Sequence, residues 1–148
     1  MACGFRLAVW VVVLGLASPA LAVEYRSVAV NAAILYDAPS TQARKLYLLS
    51  RDYPVEIVVT LDKWVKVRDA TGSLAWVESS RLSPRRTVLV TAPQVEVRQA
   101  PQPSAPVVFQ AEKDVVLELT EFTGNGWVRV RHRDGQSGYV PMNQVWGL

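Results

Sequence analysis

The chain has 148 residues, of which 50% are hydrophobic and 20% are charged, a composition typical of a folded protein and too apolar for an intrinsically disordered one. The formal net charge is only +3, well short of the basic excess that nucleic-acid-binding domains carry. One histidine and one cysteine cannot supply the three or four ligands of a usual zinc site. We therefore expect no nucleic-acid partner, no metal and no cofactor.

Residues 1–22 have the pattern of a secretory signal peptide. A segment with one positive charge precedes the apolar run Leu7–Leu16, and the small residues Ala20 and Ala22 match what signal peptidase accepts. We expect cleavage after Ala22, giving a periplasmic or otherwise exported chain with no membrane span. The alternative is an uncleaved anchor, but the uncharged stretch that ends at Ala22 is shorter than the about 20 residues that cross a bilayer.

The rest of the chain is a sequence duplication. Ala38-Pro39 returns as Ala100-Pro101 at a spacing of 62 residues, and Trp64–Arg68 returns as Trp127–Arg131 at a spacing of 63. The extra residue falls between these blocks, where a hairpin turn is expected. Because insertions are tolerated in turns, the two segments are interpreted as copies of one structural unit.

Each copy alternates apolar and polar residues with the period of a half-buried strand. The first copy is predicted to place its alternating residues Val55, Ile57, Val59, Val65, Val67 and Val77 inward. The second is predicted to use Leu117, Leu119, Val128, Val130 and Val140, with a bulge or strand end at Glu121. Helix is expected only as single turns, at Glu78–Arg81 and Pro141–Gln144.

Five short strands in about 60 residues must close, or nearly close, into a small barrel. The predicted organisation is all-β: a cleaved signal peptide at 1–22, one barrel at 23–82, a linker at 83–87 and a second barrel at 88–148. Long irregular loops are expected at Ala38–Lys45 and Ala100–Pro106. A strand resumes almost directly after the linker, so the barrels are expected to touch.

Several segments together resemble the tandem, exported type of bacterial SH3-like domain. The opening Ala33–Ser40 is similar to that family's first strand and loop, and Trp64–Arg68 followed by Ala75–Val77 is similar to its closing strands. In the second copy the matching segments are Gly126–Val130 and Gly138–Val145. The resemblance implies two SH3-like barrels that bind a cell-wall or protein ligand without catalysis.

Neither copy has the full aromatic groove with which other SH3 domains bind polyproline peptides. The first copy has Glu78 and Arg81 where Pro and Tyr would stand, and the second has Arg98 and Gln144 at the two tyrosine positions. Polyproline specificity is therefore not expected.

Aromatic residues are the candidate ligand-binding residues. Strand parity places Trp64 and Trp127 opposite the inward valines, and exposed tryptophans are favoured in binding sites. The alternative is that the loop Ala38–Lys45 covers Trp64 as a small second core. The full set of candidate ligand-binding residues is Tyr36, Trp64, Trp76, Trp127 and Tyr139.

No catalytic residues are predicted. His132 ends a strand and is replaced by Asp69 in the other copy, so a solvated histidine is favoured over a catalytic base. The repeated carboxylates Glu56 and Glu118 are explained by duplication and are expected to pair with cations across strands. The alternative for those cations is contact with an anionic wall polymer or a phospholipid headgroup.

The sequence therefore predicts a non-enzymatic exported module that binds a peptidoglycan fragment or an envelope protein. A structural subunit docked permanently on an envelope protein is the main alternative. A wall hydrolase would need catalytic residues that the sequence does not contain.

Overall fold

A computed structural model describes residues 21–148 as two all-β barrels, each built on one antiparallel sheet. The signal-peptide segment and Cys3 lie outside the described residues, apart from Leu21 and Ala22. The strands are β1 Glu24–Val28, β2 Ala32–Tyr36, β3 Lys45–Ser50, β4 Pro54–Leu61, β5 Trp64–Arg68, β6 Leu74–Glu78, β7 Leu82–Ser83, β8 Thr87–Val90, β9 Gln94–Arg98, β10 Val107–Glu112, β11 Val116–Phe122, β12 Trp127–Arg131, β13 Ser137–Pro141 and β14 Val145–Trp146. Single 3₁₀ turns lie at Ser79–Arg81, after β6, and at Met142–Gln144, after β13. These turns confirm the helix prediction.

The strand order is the same in both sheets. It is β3-β2-β6-β5-β4-β1-β7 in the first and β10-β9-β13-β12-β11-β8-β14 in the second. The expectation of five strands per copy was too low, because each sheet has seven strands, of which β7 and β14 are only two residues long. Ser83, which the sequence assigns to the linker, pairs with Ser27 in the first sheet.

Among the described residues 21–148, no helix is long and apolar enough to cross a membrane.

The two cores occupy equivalent positions. Val55, Val65, Val67 and Val77 are buried in the first barrel. Leu117, Val128, Val130 and Val140 are buried in the second. Ile57 and Leu119 are only partly buried, although both pack against their cores, so the sequence placed them too far inside.

A β-bulge interrupts the long fourth strand of each copy. The register shifts between Ile57 and Val59 in the first barrel and between Leu119 and Glu121 in the second. The bulge predicted at Glu121 is therefore a property of both copies. It also overturns the inward placement of Val59, because the extra residue turns that side chain outward beside Lys66.

One core position differs between the copies for a steric reason. Ala75 is buried on β6, whereas Gly138 stands at the equivalent place on β13. A Cβ atom on Gly138 would lie 2.5 Å from the backbone oxygen of Arg98 and 2.7 Å from a methyl group of Val97. The strands β9 and β13 therefore approach too closely there for any side chain.

The two barrels are in direct contact, as the short linker predicts. Trp146 packs edge-on against Tyr25 of the first barrel with 5.3 Å between ring centroids. The Arg86 guanidinium lies 5.5 Å from the centre of the same tyrosine ring and donates a 2.9 Å hydrogen bond to the carbonyl of Gly147. Trp146 therefore bridges the barrels instead of capping the second one.

Candidate functional site

Each barrel has a groove between its second strand and its 3₁₀ turn, and the two grooves use equivalent positions. The first groove is lined by Ala32, Ile34, Tyr36, Glu78 and Arg81. The second groove is lined by Gln94, Glu96, Arg98, Pro103, Trp127, Pro141 and Gln144. All five residues of the first groove have an equivalent in the second groove at the repeat spacing of 62 or 63 residues. The two copies therefore keep the position of the groove but differ in the side chains that line it.

The first groove is narrowed by an aromatic pair. Tyr36 is buried and meets Trp64 edge-on, with 5.4 Å between ring centroids. Trp64 itself is half-buried. The two predicted site residues are therefore brought together, but Tyr36 occupies much of the space, and the groove has a volume of only about 160 Å³.

The second groove is wider because Arg98 replaces Tyr36. Its guanidinium does not fill the groove but donates a 2.7 Å hydrogen bond to the carbonyl of Ala105 and pairs with Glu96. The volume is about 350 Å³. Half-buried Trp127, flanked by Pro103 and Pro141, supplies an apolar surface in a groove that is otherwise polar.

The departures from a polyproline groove at Arg98 and Gln144 do not by themselves mark Gln94, Glu96 or Pro103 as groove residues. Arg98 is equivalent to Tyr36 at the repeat spacing of 62 residues. This equivalence is a sequence signal that could have identified the polar groove residues near Arg98. Gln94 donates a 2.9 Å hydrogen bond to the side chain of Gln110, which fixes one amide at the groove rim.

The remaining two predicted site residues lie on the outward faces of the sheets. Trp76 stands in register between Lys66 and Tyr36. Tyr139 stands between Arg129 and Arg98, and the Arg129 guanidinium lies 6.0 Å from its ring centre. Neither side chain lines a groove. Trp76 and Tyr139 therefore lie beside the grooves without forming part of them.

Two of the outward cations pair with the repeated glutamates, as expected. Arg68 lies 3.6 Å from Glu56, and Arg131 lies 2.6 Å from Glu118. Glu118 also pairs at 3.1 Å with Arg85 of the linker. The hydrogen bond from Arg131, assisted by Arg85, lowers the pKa of the Glu118 carboxyl, although its partial burial acts in the opposite direction.

Within residues 21–148 no group of three or more His, Cys, Asp and Glu side chains is arranged to hold a metal ion. His132 lies 3.1 Å from Asp134 and against the ring of Phe109. Hydrogen bonding from the Gln136 backbone, followed by His132, lowers the pKa of the Asp134 carboxyl. This pair sits at a turn and away from both grooves.

The bacterial SH3 domain family matches the chain twice, over residues 29–84 and 91–147. The chain belongs to the bacterial SH3 domain family. The two matches fall on the two barrels, and together they cover most of the residues that the structure describes.

No curated protein is similar enough to this SH3 chain to count as a match. Solved structures with a likeness to it include NlpC1 of Trichomonas vaginalis, at 18% identity over 93% of this chain and 50% of that chain, with a TM-score of 0.40. NlpC2 of the same organism has 17% identity over 84% of this chain and 48% of that chain, with a TM-score of 0.39. An NlpC/P60 family protein from Bacillus cereus has 16% identity over 83% of this chain and 56% of that chain, with a TM-score of 0.39. The chain spans about half the length of these proteins.

Proposed function

We propose that this tandem bacterial SH3 protein is a non-enzymatic exported module that binds a peptidoglycan-type cell-wall ligand, and that the second groove is its main site. The observation that carries the proposal is the second groove itself, in which Trp127 is presented beside two prolines and a set of fixed polar groups. Membership of the bacterial SH3 family and the signal-peptide pattern of residues 1–22 support export and binding.

The side chains of the second groove suit a ligand made of sugar and peptide. The indole of Trp127 and the ring of Pro141 offer an apolar surface to one face of a sugar ring or a peptide plane. Gln94, Gln144 and Glu96 offer amide and carboxylate groups that can hydrogen-bond hydroxyls and amides at the edge of the ligand. An apolar surface with a few fixed polar groups is the usual composition of a small-molecule site.

The first groove is the weaker site in this proposal. Tyr36 fills the space that the second groove leaves open, so the first barrel offers a shallower surface. Its Glu78 stands where the second barrel has Pro141, and this substitution replaces an apolar wall with a charge. The second barrel therefore contributes more to ligand binding than the first in this proposal.

The test is sedimentation of the purified chain with isolated cell-wall sacculi. The chain is expected to sediment with sacculi, and Trp127→Ala is expected to weaken binding by roughly 30-fold, the effect of losing about 2 kcal/mol at an interface hot spot. Phe122→Ala is the matched control, because Phe122 is a 52% exposed aromatic residue on the same barrel outside the groove. Failure of the unaltered chain to sediment, or equal weakening by both variants, would contradict the proposal.

A structural subunit is the alternative function, and exposed apolar side chains on the first barrel favour it. Leu46, Leu48, Leu61 and Leu74 are between 39% and 61% exposed, and a docked protein would cover apolar side chains of this kind. A chain that ignores sacculi and instead recovers one protein partner in stoichiometric amounts from an envelope extract would support this function. Substitution of Leu48 by Lys should then abolish recovery of that partner.

A further inference from the structure

A cleft lies between the two barrels. Its volume is about 490 Å³, and residues of both copies line it. Its lining includes Arg51 and Asp52 of the first barrel and Asp114, Val115, His132 and Arg133 of the second. This inter-barrel cleft shares no lining residue with either groove.

The inter-barrel cleft continues along the second barrel. A neighbouring cavity of about 400 Å³ shares Val115 and His132 with it and adds the ring of Phe109. The ring centroids of Phe109 and His132 are 5.9 Å apart. An apolar wall therefore lies directly beside the charged part of the cleft.

The walls of the cleft are held in place by the barrel junction. The hydroxyl of Thr87 donates a 2.6 Å hydrogen bond to the carbonyl of Asp52, and the hydroxyl of Ser27 donates a 2.8 Å bond to the carbonyl of Arg85. Thr87 and Ser27 are both buried. Since a preformed site loses little freedom when a ligand binds, these contacts favour binding in the cleft.

Charges of both signs face the same space. Asp52 lies 3.5 Å from the linker residue Arg85, and Arg51 donates a hydrogen bond to Asn31. In the described part of the chain, neither Asp114 nor Arg133 has an oppositely charged partner within 4.0 Å. One carboxylate and one guanidinium are thus both available to a ligand.

The second barrel lacks a polar contact that the first barrel makes at the equivalent place. In the first barrel Tyr47 donates a hydrogen bond to Asp69, which joins strand β3 to the turn after β5. The equivalent residues are Phe109 and His132, which pack without such a bond. The paired substitution leaves an aromatic wall and an imidazole facing the cavity where the first barrel has an internal polar contact.

From this arrangement we infer that the inter-barrel cleft binds a short peptide with free termini. Asp114 holds its ammonium group, Arg133 holds its carboxylate, and Val115, with Phe109 of the neighbouring cavity, contacts an apolar side chain. A ligand of a single charge sign would meet a like charge at one of the two ends, so the mixture of charges selects a zwitterion. The inference concerns a site apart from the grooves and does not depend on the proposed wall-binding function.

The test uses the unblocked tripeptide Ala-Leu-Ala and nuclear magnetic resonance titration of the isotope-labelled chain. Saturable shifts are expected at the backbone amides of Val115, His132 and Arg133. Acetylating the peptide's amino end or amidating its carboxyl end should weaken binding about ten-fold or more, because each removes a charged hydrogen-bonding group. The backbone amides of Gln94 and Trp127 should show no saturable shifts, which separates this site from the second groove.

Two charge-neutralising variants complete the test. Asp114→Asn should weaken the unblocked peptide but bind the N-acetylated peptide as the unaltered chain does, and Arg133→Gln should do the same for the C-amidated peptide. Asp62→Asn is the matched control, because Asp62 is also exposed and also has a positive φ, of 54° against 70° at Asp114. Absence of saturable shifts, or equal affinity for blocked and unblocked peptides, would overturn the inference.

Discussion

The phenol of Tyr47 donates a 2.9 Å hydrogen bond to a carboxylate oxygen of Asp69, a residue that is only 6% exposed. The other carboxylate oxygen accepts bonds from the hydroxyl and backbone N–H of Thr71 and from the backbone N–H of Ser73. A single carboxylate therefore fixes both strand β3 and the turn that follows β5.

Asp69→Ala is expected to destabilise the first barrel by about 3 kcal/mol, because four partly buried hydrogen bonds to one carboxylate are lost together. Urea unfolding followed by tryptophan fluorescence would measure the change. His132→Ala, at the equivalent turn of the second barrel, is the control and should cost about 1 kcal/mol or less. Equal losses in the two variants would show that the carboxylate has no special role.

The same contact predicts a dependence on alkaline pH. Burial, followed by the hydrogen bond and charge of Asp69, raises the pKa of Tyr47 above its ordinary value of 10.0. Because the folded chain holds this proton more tightly than the unfolded chain, the stabilisation is complete below that ordinary value and is lost as pH rises through the folded pKa. Unfolding free energies at about pH 9 and about pH 11 should show the decline, and Tyr47→Phe should make it shallower.

The buried valines give the sharpest test of the strand parity. Val67→Asp and Val130→Asp place an unpaired carboxylate at positions that are 0% exposed. This costs several kcal/mol, whereas a domain of this size has only about 5 kcal/mol of stability, so each variant should unfold its own barrel. The neighbouring variant Arg129→Asp changes an exposed residue and should remain folded. Circular dichroism melting curves distinguish these outcomes, and a cooperative melt of Val67→Asp at the original temperature would count against the buried position.

Trp64→Ala and Trp127→Ala are expected to behave differently. Trp64 packs against buried Tyr36, and its removal should lower stability by about 2 to 3 kcal/mol through lost burial and the lost aromatic pair. Trp127 lines the open second groove, and its removal should change stability by less than that. Thermal melting of both variants would measure the two losses of stability. A larger loss of stability in Trp127→Ala than in Trp64→Ala would show that Trp127 is a packing residue.

Export gives a prediction that needs no folding measurement. The signal-peptide pattern predicts that the mature chain begins at Val23, which is exposed and precedes β1. Intact-mass measurement of the protein recovered outside the cytoplasm should match a chain starting there. Retention of residues 1–22 would restore the membrane-anchor alternative.

Most of the fold could be predicted because the period-two alternation that marks a strand in one copy recurs at the equivalent position of the other copy. Trp64–Arg68 and Trp127–Arg131 are strands with the expected faces, and both 3₁₀ turns lie where Pro and Glu precede them. Val59 was misplaced because a bulge shifts the parity by one residue. Glu121 marks the equivalent bulge in the second copy, whereas the apolar Val59 gives no such signal in the first.

The candidate sites were less predictable than the strands. Parity located Trp64 and Trp127 outside the main core, but it could not show that Tyr36 fills one groove while Arg98 leaves the other open. The inter-barrel cleft could not be predicted from the sequence, for a different reason. It depends on how Thr87 and Trp146 join the barrels, and the orientation of two domains is not encoded in the periodicity of either one.

The absence of a side chain at Gly138 also affects how a duplicated chain avoids mispairing. Two copies with similar strands can exchange them while folding, a known route to misassembly in tandem proteins. If β6 inserted into the second barrel in place of β13, the methyl group of Ala75 would meet the backbone of Arg98 at 2.5 Å. At this point a strand borrowed from the first barrel would therefore fit the second barrel less well than β13 does.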